Sequence, residues 1–219
     1  MDSETFSAGK TGALICFAVK EEARPFQKLA AGKSGTSILV TGIGRNNAEK
    51  FVRKFLAENS ARAVLTCGFA GGLNPALNLG TVIFSTDDEK LLEQLQVAKV
   101  QPAKIFCAER IATTVAEKNE LRRSTGADAV EMESGVIQSI CRERSISCAT
   151  VRAISDTAGE DLPLDFNQLS KPDKNLDYGK LAWTIVKSPG KIGALMRLQK
   201  NCRFAAEQLS EVLAKIIFR

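Results

Sequence analysis

The chain repeatedly sets a short apolar run, rich in β-branched residues, against a longer stretch in which apolar side chains recur at helical spacing. The runs at 13–19 (ALICFAV), 37–41 (SILVT), 63–67 (AVLTC), 81–84 (TVIF), 104–108 (KIFCA), 128–132 (DAVEM) and 148–154 (CATVRAI) read as strands. NNAEKFVRKFLAEN, DDEKLLEQLQ and TTVAEKNELRRS, which lie between them, read as helices. Strands apolar on both faces belong inside a parallel sheet with helices on each side. The expectation is an α/β fold: a single three-layer domain whose central, largely parallel mixed sheet is flanked by helices. With 219 residues, 44% of them hydrophobic, the chain is long enough to bury such a core in one unit.

Residues 1–12 are polar and acidic and read as a flexible N-terminus, leaving 13–219 as the domain. EDLPLDFNQLSKPDKN, from Glu160, is rich in Pro, Asp and Asn and reads as loop, followed by a basic amphipathic helical segment at 181–219. No basic-then-apolar leader opens the chain and no apolar run approaches the ~20 residues of a membrane span, so a cytoplasmic location is expected. The six cysteines lack metal-ligand spacing and read as reduced thiols. No histidine occurs, which excludes Ser-His-Asp and Cys-His catalysis and argues against a transition-metal site, so no metal is expected. Acid-base chemistry then falls to carboxylates, lysines or thiols. Residues 171–219 hold ten Lys/Arg against four Asp/Glu, so the net charge of +5 comes from the C-terminal part. With no aromatic or zinc pattern beside it, this basic stretch is not read as a nucleic-acid surface.

In an open parallel sheet the ligand crevice lies beyond the carboxyl ends of the strands. Glu22 follows the first strand, GIGR (42–45) the second, GFAGGL (68–73) the third, Glu131 and Glu133 the sixth, and Asp156 the seventh. One rim thereby collects carboxylates and glycine-rich backbone. Each feature also has a plainer reading: Asp156 as an Asx turn, Glu131 and Glu133 as an acidic helix start, Glu22 as a solvated glutamate in a first turn, and Gly71 and Gly72 as a tight turn. Arg45, beside the backbone N–H groups of Gly44 at a helix start, offers a phosphate cradle or simply faces solvent. Arg152 reads as a partner that holds a carboxylate, or as an ion pair apart from the chemistry.

The order AVKEEA, CGFAGGL, VEMES and VRAISD resembles the nucleoside phosphorylase and nucleosidase superfamily, which includes methylthioadenosine/adenosylhomocysteine nucleosidases. The likeness spans residues 13 to about 165. ERIATTVAEKNELRRSTGADAVEMES and SPGKIGALMRLQKNCRFAAEQL look most like the phosphorylases associated with hopanoid biosynthesis. The resemblance implies a phosphorylase-like fold, frequent homo-oligomers, no cofactor, and cleavage of the bond between ribose C1′ and a purine, with adenine the preferred leaving base. Two or three carboxylates suffice for that chemistry, as in glycoside hydrolysis.

On this resemblance Asp156 gives or shares a proton at purine N7, for which it needs partial burial. Glu133 accepts hydrogen bonds from the ribose hydroxyls, Met132 packs on the sugar, and Glu22 activates the nucleophile. Strand alternation points Glu131 away from Met132 and leaves it to the helix start. The chain departs from the nucleosidase pattern at Phe69, where those enzymes carry serine, and at Cys107, Ala108 and Glu109, where they carry Ser-Gly-Asp. Ile111 stands where their base-stacking aromatic would be, so a more aliphatic purine pocket is expected.

The narrower likeness favours phosphorolysis, with phosphate as co-substrate, whereas Glu22 suits water; phosphorolysis is the preferred expectation. A non-catalytic nucleoside-binding relative is disfavoured by Glu22, Glu133 and Asp156 occurring together, and a dinucleotide-dependent oxidoreductase by the missing G-x-G-x-x-G after the first strand. Hopanoid chemistry implies a lipid-linked nucleoside, and the segment from Leu181 to Leu209 combines apolar side chains with Lys187, Lys191, Arg197, Lys200 and Arg203 in a way that suits peripheral membrane contact. An amphipathic helix packed on the sheet accounts for the same pattern.

Overall fold

The computed structural model describes residues 11–169 and 189–218. Strands β1 (Thr11–Phe17), β2 (Thr36–Val40), β3 (Ala61–Gly72), β4 (Val82–Thr86), β5 (Gln101–Pro102), β6 (Ile105–Cys107), β7 (Ala129–Glu131) and β8 (Ser147–Asp156) alternate with helices α1 (Lys20–Ala30), α2 (Arg45–Glu58), α3 (Glu89–Val97), α4 (Val115–Thr125), α5 (Ser134–Glu143) and α6 (Ile192–Ile217). The sheet runs β2-β1-β3-β8-β4-β5, with β7 on the end of β3 and β6 beside β7. The pairs β1/β2, β1/β3 and β3/β8 are parallel, while β4 is antiparallel to β8 and β7 to β3. Four neighbouring strands therefore end on the same rim, and β1, flanked by β2 and β3, is where the strand order reverses.

Alternate residues of β1 face opposite layers, as a strand apolar on both faces requires. Ile15 and Phe17 join Phe26 of α1, Leu91 of α3, and Leu209 and Leu213 of α6. Leu14 and Cys16 join Val52 and Phe55 of α2 and Ile137 and Ile140 of α5. The three layers of the sequence reading are these: α1, α3 and α6 on one face, α2 and α5 on the other. Each fully buried Leu, Ile or Phe side chain is worth roughly 1.5–3 kcal/mol, so the two clusters fix the sheet between its helices.

The first strand begins at Thr11, so residues 11–12 belong to the sheet and not to the tail; residues 1–10 lie outside the described residues. β3 is more than twice as long as the AVLTC run: it carries GFAGG as strand, because Phe69, Ala70 and Gly71 pair with β8 and Gly71 and Gly72 with β7. β5 is two residues long and has no apolar pattern to announce it. From Glu160 to Leu169 the chain forms no helix or strand, as read from its composition. Among the described residues the C-terminal part is a short 3₁₀ turn (Pro189–Lys191) followed by the 26-residue α6, whose buried Ala205, Ala206, Leu209 and Leu213 seat it against α1 and β8. The N-terminal part of the proposed membrane segment, with Trp183, Ile185, Val186 and Lys187, lies outside the described residues. Of the rest, Ile192 and Met196 are exposed, while Leu195 and Leu198 turn partly inward. No described helix is long and apolar enough to cross a membrane.

Candidate active site

Beyond the strand ends lies a cavity of ≈ 250 Å³. Glu22, Phe69, Gly71, Ile111, Met132, Glu133 and Asp156 all line it, although they come from α1, β3, the loop after β6, the β7–α5 junction and the end of β8. Gly44 reaches this group through its N–H, which donates to Glu133 Oε1 at 2.7 Å. Arg45, the first residue of α2, is exposed and is not part of the wall. The cradle read in GIGR is thus occupied by a carboxylate of the protein itself.

The centre of the site is a guanidinium. Arg152 is 1% exposed, on the strand between β3 and β4. Its Nη2 donates to Glu131 and, at 3.1 Å, to Thr66 Oγ1, and it lies 3.7 Å from Glu133 Oε2. Glu131 also accepts the N–H groups of Glu133 (3.0 Å) and Ser134 (2.9 Å) and the Ser134 hydroxyl (2.6 Å), so it anchors the start of α5 while balancing Arg152. Glu131 thus serves the helix start while Arg152 holds its carboxylate.

Glu22 belongs to the same cluster. Its Oε2 accepts from Ala18 N (2.9 Å) and Val19 N (3.1 Å), its Oε1 from Phe69 N (2.8 Å), and it is buried. Gly68 shows how tightly the cluster is packed. A Cβ there would stand 2.5 Å from Glu22 Oε1 and 2.6 Å from Arg152 Nη1, and the φ of +149° already suits only glycine.

Three buried carboxylates share one guanidinium, and their titration separates accordingly. Burial pushes Glu131 upward, but the Arg152 charge, the Ser134 hydroxyl and two backbone N–H groups outweigh it and hold Glu131 below the usual carboxylate value. Burial pushes Glu133 up to about 7, against the Arg152 charge, with the negative charge of Glu131 adding to the rise. Burial raises Glu22 as well, opposed by Arg152 and its three backbone N–H donors.

Asp156 is a buried acid with a cationic partner. It is 8% exposed, and Lys118 Nζ stands 2.5 Å from its Oδ2 while Ser155 Oγ donates to its Oδ1 at 2.8 Å. Its carboxylate is also what a Cβ at Gly71 would meet, 3.2 Å away, so Gly71 leaves the acid room at the cavity wall.

The remaining walls are largely apolar: Ala112, Val130, Leu162 and Phe166, with Leu198 and Cys202 brought in by α6. Phe166 supplies an aromatic that Ile111 does not, and Leu198 faces the cavity although its composition suited a membrane surface equally well. The loop carrying Phe166 is tied down by Asn167, whose amide side chain both accepts from Ile111 N and donates to Ile111 O at 2.9 Å. Its one signal in the sequence is a lone phenylalanine in a polar loop. Among the described residues no His/Cys/Asp/Glu group has the arrangement of a metal site. A hollow of ≈ 410 Å³ between Asp88 and Cys148 contains none of the residues above.

The chain matches the sequence model of the phosphorylase superfamily over residues 13–97 and 88–186. It is 28% identical over 159 residues to the aminodeoxyfutalosine nucleosidase of Campylobacter jejuni, covering 58% of this chain and 69% of that protein. Against the 5′-methylthioadenosine/S-adenosylhomocysteine nucleosidase of Anoxybacillus flavithermus it is 25% identical over 166 residues, covering 60% and 72%. Its fold superposes on the futalosine hydrolase of Helicobacter pylori with a TM-score of 0.72, at 16% identity, over 95% of this chain and 98% of the other. The H. pylori 5′-methylthioadenosine/S-adenosylhomocysteine nucleosidase, solved with butyl-thio-DADMe-Immucillin-A, gives the same TM-score, identity and coverage.

Proposed function

The chain belongs to the phosphorylase superfamily, and from the carboxylates gathered in its cavity we propose that it cleaves the N-glycosidic bond of a purine nucleoside, with adenine as the leaving base. The observation that carries this reading is that Asp156 and Glu133, distant in sequence, line one small, mostly apolar cavity together with Glu22. Met132 and Glu133 hold the ribose, with Glu133 accepting hydrogen bonds from its hydroxyls. Asp156 meets N7 of the base, and the apolar walls, Phe166 among them, cover the purine rings. As the C1′–N9 bond lengthens, positive charge grows on the sugar, and the carboxylate cluster around Arg152 favours it. No cofactor is needed.

Water is the nucleophile that this site suits. Glu22 lines the cavity where it can take its proton, and the one guanidinium is already engaged by Glu131, so a phosphate dianion gains little cationic support here. The relatives named as nucleosidases and as a hydrolase agree with this choice. Phosphorolysis is the second reading, favoured by the narrower likeness to hopanoid-associated phosphorylases, and makes phosphate a co-substrate.

That likeness also suggests a large apolar 5′ substituent. In support, a groove of ≈ 850 Å³ between α1 and α6, with Pro25, Leu29 and Met196 on its walls, shares Phe69 and Cys202 with the nucleoside cavity. A lipid-linked nucleoside would place its tail there. Peripheral contact with an anionic membrane, self-association and a cytoplasmic location complete the proposal.

The test is to incubate the protein with adenosine, methylthioadenosine, adenosylhomocysteine and aminodeoxyfutalosine, with and without phosphate, and to measure free adenine and the sugar product. Adenine and free sugar without phosphate support hydrolysis. A sugar 1-phosphate formed only with phosphate moves the assignment to phosphorolysis, and no adenine from any of them refutes the reaction.

A further inference from the structure

Lys118 is the one buried residue of α4 and has no exposed surface at all. It is not part of the cavity wall; it stands behind Asp156. Its Nζ donates to Asp156 Oδ2 at 2.5 Å, to the Thr157 carbonyl at 2.8 Å and to the Glu160 carbonyl at 2.9 Å, which uses all three ammonium protons. The turn that supplies those carbonyls is itself closed, because Thr157 N and Oγ1 donate to Glu160 Oε2 at 3.0 and 2.8 Å. Asp161 Oδ1 accepts Val115 N at 2.6 Å and Leu162 N donates to Thr113 O at 2.8 Å, so α4 and this turn hold each other in register.

A buried ion pair seldom stabilises a fold more than well-packed apolar residues of the same volume would. The position could carry a leucine or methionine, and the turn already has the Asp161 and Leu162 contacts to secure it. A charge placed there, on an oxygen of the acid that faces the base, asks for a chemical reason.

We propose that Lys118 is a positioning residue for the proton transfer at N7, acting through Asp156; the proposal rests on the reaction assigned above. Lys118 holds Oδ2 and Ser155 holds Oδ1, so the carboxyl plane is fixed before the nucleoside arrives. In the reaction the C1′–N9 bond breaks with its electron pair passing to the base, and the proton moves from the Asp156 carboxyl to N7. The carboxylate left behind is the ion pair seen in the structure. The ammonium stabilises that anion as it forms, so the transfer runs downhill sooner along the bond cleavage. Asp156 stays that ion-paired carboxylate once the base has gone, and takes the next proton from solvent as the next nucleoside binds.

The test compares a leaving group that needs this proton with one that does not. The parent and K118M are assayed for kcat and KM with an adenine nucleoside and with 4-nitrophenyl β-D-riboside, whose phenolate departs unprotonated. K118M should lower kcat on the adenine nucleoside by ~30-fold or more, a large part of the ~10²–10⁴-fold that general acid catalysis supplies. KM should stay within about three-fold, and the aryl riboside rate within about three-fold of the parent. Equal losses on the two substrates would make Lys118 a structural residue only, and a K118M rate on the nucleoside within about three-fold of the parent would remove it from the chemistry. Should K118M not fold, by thermal melting, K118Q keeps a donor without the charge and is read in the same way. A parent protein that releases no adenine refutes the assigned reaction instead, and separates that failure from this one.

Discussion

Replacing Glu133 with glutamine should make the protein's stability less dependent on pH while removing a pH dependence from ribose binding. Burial lifts the carboxyl of Glu133 from 4.5 to about 7. Between those limits the folded protein keeps a proton that the unfolded chain has lost, so this contribution is complete below the lower limit and disappears as pH rises through the upper one. At about 1.4 kcal/mol per pKa unit, the displacement corresponds to about 3 kcal/mol. For a chain of this size that is roughly 6–12 °C in Tm. The assay is thermal melting of the parent and E133Q between pH 5 and pH 8. The parent should lose most of that interval across the range, and E133Q should be flatter by about the same amount. Comparing slopes cancels any fixed cost of setting an amide beside Arg152 and the Gly44 N–H. Binding should move in the opposite sense, because the ionised form accepts the ribose hydroxyls: affinity for a ribonucleoside climbs as pH passes about 7 in the parent, and in E133Q it does not. Ribonucleosides should also lose more in E133Q than 2′-deoxyribonucleosides. Parallel melting slopes for the two proteins would refute the reasoning, since Glu133 would then not be the group that titrates.

Asp156→Asn should lower kcat by roughly 10²–10⁴-fold while a nucleoside still binds, and a variant keeping more than about half the parent rate would remove Asp156 from the proton transfer. Arg152→Met strips the shared cation from Glu131, Glu133 and Glu22, and should cost roughly 3–5 kcal/mol, or ~6–20 °C in Tm. The deficit should narrow at pH 5, where the carboxylates take up protons, and in the E131Q/R152M double variant; a deficit independent of pH would show that packing and not charge is lost. Cosedimentation with anionic vesicles at low salt should retain the protein, and the retention should weaken as salt screens the surface and when Lys191 and Arg197 are both changed to Gln. Protein left in the supernatant under all conditions would assign α6 to packing alone.

The strands were legible because their residues are apolar at both parities, and that pattern survives any detail of packing. Ile15 and Phe17 go to one layer and Leu14 and Cys16 to the other, as their alternation requires. The reach of β3 through GFAGG was not legible, since glycines carry no side-chain periodicity, and only the partners β7 and β8 make those residues strand. That Glu22, Glu133 and Asp156 meet at one rim was legible from their places after strands. Lys118 was hidden for the opposite reason: EKNELRR looks like a solvated helix face, and nothing local marks which of its charges is turned inward. Phe166 and Cys202 depend on how the loop after β8 and helix α6 fold back over the rim, a long-range property that no window of sequence contains.

Glu131 and Glu133 sit two residues apart in VEMES, and the fold treats them in opposite ways. Glu131 takes the close guanidinium contact and the N–H groups that open α5, so it stays an anion and neutralises Arg152. Glu133 is left with one backbone donor and a guanidinium at 3.7 Å that is already engaged, so its charge is poorly supported and its carboxyl titrates near neutrality. A chain without histidine has few other means of placing a titrating group in that range. On the proposed reaction, ribose hydroxyls donating to Glu133 would favour its anion, and the negative charge would appear beside the sugar in the step where positive charge develops on C1′. Binding and charge stabilisation would then be one event, with the stability given up above neutral pH as the counterpart of that coupling.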